Sequence, residues 1–240
     1  MIFVTIVGVT LRALLGRRRT ILMLLLAGVP VLLGLLVRAN NGSGVRDVGA
    51  TLDGLVVRVV LPLVALVFGT AALGSELEDG TAVHILTKPI RRSTIVLAKI
   101  GVAGTLTAAL LVPSTVLAGL LLARSASGQV SITFAMAIGV LVGSYVYVAI
   151  FVALSVATSR GLIIGLGYAL IWEGVLAGLL PGSQVFSVRE YVRGIAAILS
   201  PAATDSVVGA GAVLYAAVAL VAATAIASAR LAVYEVRGSD

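Results

Sequence analysis

The chain has no cysteine and one histidine, His84. Disulfides, thiol nucleophiles, cysteine-ligated metals and His-cluster metal centres are thereby excluded. No Gly-Lys pair occurs, so the phosphate-cradling loop G-x-x-x-x-G-K-S/T cannot be built, and the chain is no ATPase by itself. G-x-S-x-G, H-E-x-x-H and G-x-G-x-x-G are missing as well, and no Ser/His or paired-Asp arrangement within the apolar runs suggests a membrane protease. Charge is also scarce. Asp, Glu, Lys and Arg make up 11% of 240 residues, against about 25% in a soluble domain. Hydrophobic residues make up 60%, and the mean hydropathy is +1.18. Water is not the main solvent of this chain.

The gaps between charges mark its organisation, because an uncharged run of about 18 residues or more reads as a spanning helix. Uncharged runs cover 20–37, 59–75, 100–123, 125–159, 161–172 and 206–229, of which the second and fifth are short. The second extends to 55–75 with only Arg58 inside, and the fifth to 161–180 with only Glu173. The pattern predicts an all-α integral membrane fold in one domain, 1–240, with six transmembrane helices at about 20–38, 55–75, 99–123, 132–157, 161–180 and 207–230. The N-terminus does not read as a secretory signal, since its apolar stretch precedes Arg17, Arg18 and Arg19 with no small-residue cleavage site close behind.

Orientation follows from the Lys/Arg bias of short loops. With the N-terminus inside, the cytoplasmic side holds Arg12, Arg17, Arg18, Arg19, Lys88, Arg91, Arg92, Lys99, Arg160, Arg230 and Arg237. The outer side holds Arg38, Arg46, Arg58, Arg124, Arg189 and Arg193, which is 6 against 11 and accounts for all 17 basic residues. Both termini are therefore expected in the cytoplasm, at the cell membrane. The net charge of +7 then needs no nucleic acid to explain it, because loops beside anionic lipid headgroups are basic.

Three segments lie between or beside the spans. Residues 1–16 carry Phe3, Ile6, Val7, Thr10, Ala13 and Leu14 at helical spacing, which fits an interfacial helix on the inner leaflet or a first span that starts near residue 6. Residues 39–54 are rich in Gly, Asn, Ser and Asp and read as an external loop. Between spans five and six, Val185, Val188, Tyr191, Val192, Ile195 and Ile198/Leu199 form an apolar stripe flanked by Pro181 and Pro201. That is either a short external or re-entrant helix, 184–200, or a simple surface loop.

The informative stretch is GSELEDGTAVHILTKPIRRSTIVLAKI, residues 74–100. A span ends in an acidic cluster (Glu76, Glu78, Asp79), the chain turns at Gly80-Thr81, and a short helix runs past His84. Pro89 breaks it, because proline lacks an N–H and holds Lys88 extended. The chain then re-enters the membrane past Arg91, Arg92 and Lys99. An ordinary positive-inside loop accounts for the arginines but not for the acidic Gly-Thr opening followed by Leu86, Pro89 and Arg92. His84 reads as a surface residue rather than a proton relay.

Here the sequence resembles the membrane subunits of the ABC-2 type transporter permeases. Their Glu-x-Glu-x-Gly-Thr opening, Leu-x-x-Pro-x-x-Arg centre and following Lys are matched by Glu76, Glu78, Gly80, Thr81, Leu86, Pro89, Arg92 and Lys99. The resemblance implies a non-catalytic docking and lever role for residues 76–98, a coupling helix docked on a separate ABC ATP-binding subunit that carries the ATP and Mg. It implies no cofactor on this chain itself. It further implies export through a homodimer or a pair with a paralogous permease, surrounded by membrane lipids, with an external hairpin at 182–203 closing the outer end.

Glu173 sits within the fifth span, and intramembrane carboxylates are functional candidates by default. Two readings stand for it: a pathway or intersubunit contact, or an outer-half glutamate that caps, or pairs with, Arg189 or Arg193. Pro30, Pro62 and Pro113 read as kinks. The pairs Gly139/Gly143, Gly161/Gly165 and Gly174/Gly178 permit close helix approach, but 27 glycines make chance matches expected. Two other functions remain: an ATP-independent carrier or channel, which calls for several intramembrane ionisable groups and often a repeat, and a non-transporting membrane anchor for a cytoplasmic partner.

Overall fold

A computed structural model describes residues 8, 10, 14, 16–40, 47–78, 92–123, 127–158, 160–176 and 182–233. The described residues are helical apart from short connections, with no strand among them. In order they form α1 (Arg17–Ala39), α2 (Val48–Leu52), a π-helical segment (Asp53–Val60), α3 (Leu61–Glu78), α4 (Arg92–Leu122) and α5 (Ser127–Ala157). Then come α6 (Gly161–Gly167), a second π-helical segment (Tyr168–Leu176), a 3-10 turn (Ser183–Phe186), α7 (Val188–Leu199), a 3-10 turn (Gly209–Gly211) and α8 (Ala212–Val233).

Among the described residues, five stretches are long and apolar enough to cross a membrane: Thr20–Ala39, Val48–Leu73, Arg92–Leu122, Gly128–Ala157 and Gly209–Val233. The helix Gly161–Leu176, where the sequence suggests the fifth of six spans, has 16 described residues. At 1.5 Å per residue that is about 24 Å, short of the roughly 30 Å hydrocarbon core. Residues 177–181 lie outside the described set. The second, third and fourth spans also begin earlier than charge spacing suggests. The second starts at Val48, inside the stretch read as a loop, because Asp47 accepts a hydrogen bond from the Ala50 N–H at 3.1 Å and so caps its first turn. The third starts at Arg92, so residues 92–98 belong to α4.

Burial decides the arrangement of the bundle. In an 18-residue apolar window of Val48–Leu73 and of Gly128–Ala157, 67% of the residues are buried within the chain, whereas in Thr20–Ala39 and Gly209–Val233 the share is 22%. The centre is therefore α5, which packs against α3, α4, α7 and α8, with α1 laid on α4 at the edge. Around α5 the core holds Phe68, Met136, Tyr147 and Phe151. Phe151 stacks on Tyr147 at 5.9 Å and meets the edge of Tyr168 at 6.3 Å. Buried hydroxyls in the bundle bond back to their own helices: Thr107 to the Ala103 carbonyl, Thr115 to Leu111 and Ser144 to Val140. Ser114 instead donates to the Ala27 carbonyl, fastening α4 to α1 beside Pro113 and one turn before Pro30.

Candidate functional site

The turn Ser183–Phe186 and the start of α7 at Val188 bring a polar cluster to one end of the bundle. Its nucleus is local: Ser187-Val188-Arg189-Glu190 has the Ser-x-x-Glu spacing of a helix start, and the Ser187 hydroxyl accepts from the Glu190 N–H at 3.3 Å. That leaves further N–H groups of the first turn of α7 without intrahelical partners. Glu173, on the second π-helical segment and 2% exposed, supplies the acceptor. Its Oε1 accepts from the Val188 N–H at 2.8 Å and from the Tyr168 hydroxyl at 3.0 Å, and its Oε2 from the Ser187 hydroxyl at 2.5 Å. The negative charge faces the positive end of the α7 dipole. Glu173 thus ties α7 to the preceding apolar helix, and it makes no ion pair with Arg189 or Arg193 among the described residues.

Those two arginines turn to Asp53, in the first π-helical segment. Arg189 grips it with two donors, Nε to Oδ1 at 3.3 Å and Nη2 to Oδ2. Arg193 Nε lies 3.8 Å from the same carboxylate. Burial pulls the Arg189 guanidinium down, but the hydrogen bond to Asp53 and its charge outweigh that and hold it above its ordinary value. Arg193 also donates to Glu190, to Thr204 Oγ1 at 3.0 Å and to the Asp205 carbonyl at 2.5 Å. Beside this cluster lies a cavity of about 300 Å³, lined by Asp47, Asp53, Arg193, Thr204 and Asp205 among others. On the other face of α7 the Tyr191 hydroxyl donates to the Val185 carbonyl at 2.5 Å. Burial, with the Glu173 charge adding to it, pushes that phenol up and keeps it a donor.

Two further contacts seat the cluster. Val192, fully buried on α7, rests on Gly139 and Gly143 of α5; a Cβ at Gly139 would stand 2.6 Å from the Val192 carbonyl oxygen. The two π-helical segments meet where Arg58 Nη2 donates to the Gly174 carbonyl at 2.5 Å. Residues near the end of a helical run leave carbonyls without intrahelical donors, which an arginine can satisfy. π-helical turns are rare and concentrate at functional sites.

Of the residues singled out in the cytoplasmic stretch, Glu76 and Glu78 fall in the last turn of α3 and Arg92, half-buried, opens α4. Gly80, Thr81, His84, Leu86 and Pro89 lie outside the described residues. Lys99, two turns into α4, is 1% exposed, so within this protomer it belongs to the bundle interior and not to its surface. Two of the G-x-x-x-G pairs prove to be intrachain contacts: Gly139/Gly143 under Val192, and Gly161/Gly165 against Ser155, Leu66 and Phe151. Sequence reading overlooked Asp53 and Ser187. The Ser-x-x-Glu spacing signalled Ser187; nothing local signalled that Asp53 would meet a residue 136 positions away.

A bundle of apolar spans with its polar groups gathered at one end defines a multi-pass helical membrane protein. Residues 15–175 match the family model of the ABC-2 family transporter proteins, and the chain belongs to that family. Members are non-catalytic membrane components of ABC transporters, which work with an ABC ATP-binding partner. No curated protein matches the chain.

Proposed function

We propose that this chain is the membrane-spanning subunit of an ATP-driven exporter, with six spans and both termini in the cytoplasm, coupled through residues 76–98 to a separate ATPase. Family membership carries the reading, and the Glu76-x-Glu78-x-Gly80-Thr81 and Leu86-x-x-Pro89-x-x-Arg92 spacing supports the coupling role. ATP binding would close the ATPase dimer, and the coupling segment would carry that motion into α3 and α4, the helices that flank it. In this reading the fifth span is the apolar run 161–180, of which Gly161–Leu176 is described as helical. On this orientation the Asp53–Arg189 cluster and α7 lie at the outer end, where α7 closes the pathway.

The pathway runs between two permease protomers, as a homodimer or with a paralogue. Support comes from the packed centre of the bundle, where the buried hydroxyls of Thr107, Thr115 and Ser144 are spent on their own helices. An ATP-independent carrier calls for several buried ionisable groups free to couple ions; of the buried Asp53, Lys99, Glu173 and Glu190, the three carboxylates are engaged around α7. The test is co-expression with candidate ABC ATPases, followed by purification and ATPase assay. Copurification that is lost in the double variant Glu76→Ala with Arg92→Ala supports coupling through this segment. Copurification undiminished in that variant, or failure of any ATPase to copurify, overturns it.

A further inference from the structure

Arg58 is the one basic residue in the apolar run 55–75, and it is exposed on the bundle surface. Its depth follows from helix length. The span Val48–Leu73 has 26 residues, about 39 Å at 1.5 Å per residue, longer than the roughly 30 Å hydrocarbon core. With Leu73 at one boundary, Arg58 lies about 22 Å away, inside the core but within a side chain's reach of the other boundary. A guanidinium at that depth is costly unless polar groups meet it.

The protein meets only part of that need. Of five N–H donors, Arg58 spends one on the Gly174 carbonyl. Asp53, one helical turn away, is committed to Arg189 and Arg193, and no carboxylate among the described residues pairs with Arg58. The Gly174 bond also fixes the guanidinium in the cleft between the two π-helical segments. The surroundings are suited to an acyl chain: Val59 beside it is 42% exposed, and Ile171 and Val175, on the facing segment, are 59% and 52% exposed. Trp172 lies on that same segment, and tryptophan favours the headgroup level.

We infer that Arg58 and the exposed apolar flank of the Tyr168–Leu176 segment form a binding site for one membrane phospholipid. The phosphodiester accepts from the free guanidinium donors, and an acyl chain lies over Val59, Ile171 and Val175. Arginine forks match phosphate oxygens in two-point geometry, which explains the choice of residue. The inference needs only the membrane placement of the chain and is independent of ATP coupling, so either reading can fail without the other.

The test is native mass spectrometry of the purified protein, with its ATPase where one copurifies, in detergent doped with phosphatidylglycerol, phosphatidylcholine or diacylglycerol. The parent retains either phospholipid but not diacylglycerol. Arg58→Gln lowers phospholipid occupancy at least tenfold, Arg58→Lys lowers it less, because the charge remains while the two-point geometry is lost, and Arg38→Gln, an exposed arginine at the same end of the bundle, leaves it unchanged. Undiminished occupancy in Arg58→Gln, equal retention of diacylglycerol, or a folded Arg58→Lys that loses the lipid as fully as Arg58→Gln overturns the site. The absence of native cysteine allows a second arm. Arg58→Cys that forms a disulfide-linked dimer in native membranes shows a second copy covering this cleft, and likewise overturns it.

Discussion

Replacing Glu173 with alanine removes, in one step, the acceptor of hydrogen bonds from Val188, Ser187 and Tyr168. Each buried donor left without a partner costs about 1–3 kcal/mol. The two hydroxyls can rotate toward other acceptors, whereas the Val188 N–H is fixed at the start of α7 and cannot. Loss of a helix-start acceptor by itself costs about 0.5–2 kcal/mol. The total for Glu173→Ala is therefore roughly 2–4 kcal/mol. For a chain of this size that lowers the thermal midpoint by about 5–12 °C. Glu173→Gln keeps one acceptor oxygen for Val188 and Tyr168, and its amide can donate to a rotated Ser187 hydroxyl. Its loss stays under about 1.5 kcal/mol, or about 4 °C. Thermal unfolding of the detergent-purified protein, followed by size-exclusion of the surviving fraction, reads both variants. Equal losses for the two variants, or no loss for alanine, would refute the capping role. A substrate contact gives the opposite pattern, with glutamine abolishing transport at an unchanged midpoint.

Asp53→Asn leaves Arg189 with a weakened partner and removes the charge that Arg193 shares. Charge-assisted bonds to a buried group are worth about 1.5–3 kcal/mol, so the thermal midpoint should fall, and a maleimide-reactive Val192→Cys, silent in the parent because Val192 is fully buried, should become labelled. Labelling that stays silent in Asp53→Asn would show that the Asp53–Arg189 pair does not hold α7 down. Gly139→Ala places a methyl 2.6 Å from the Val192 carbonyl oxygen. Overpacking of this kind costs about 1–3 kcal/mol, and the same substitution at Gly28, where the added carbon meets nothing within 4 Å, should be neutral in the same unfolding assay.

How much could be read without the structure depends on the range of the interactions involved. Hydropathy and the spacing of charge are properties of neighbouring residues, so the helical membrane class and the approximate position of every long apolar segment are legible in the chain itself. Helix starts are harder, since the second span begins at Val48 only because the Asp47 side chain caps it, and hydropathy does not register a cap. Resemblance in the 74–100 stretch pointed to the family that the match over residues 15–175 shows, because a sequence motif is a contiguous run of residues.

Tertiary structure decided what the intramembrane charges do. Glu173 could be read as a pathway residue or a cap from its position alone; only the fold shows it at the N-terminus of α7, 14 residues on in sequence to Ser187. The Gly139/Gly143 spacing fits a dimer face or an intrachain seat equally well, and the approach of Val192 makes it the latter. Asp53 meets Arg189 across 136 residues, and Arg58 meets Gly174 across 116. In lipid, one apolar helix face is nearly as soluble as another, so hydropathy gives helices their membrane location but not their neighbours. Neighbours are chosen by close packing at small residues and by the few polar groups that must find partners, and those pairings exist only once the bundle has formed.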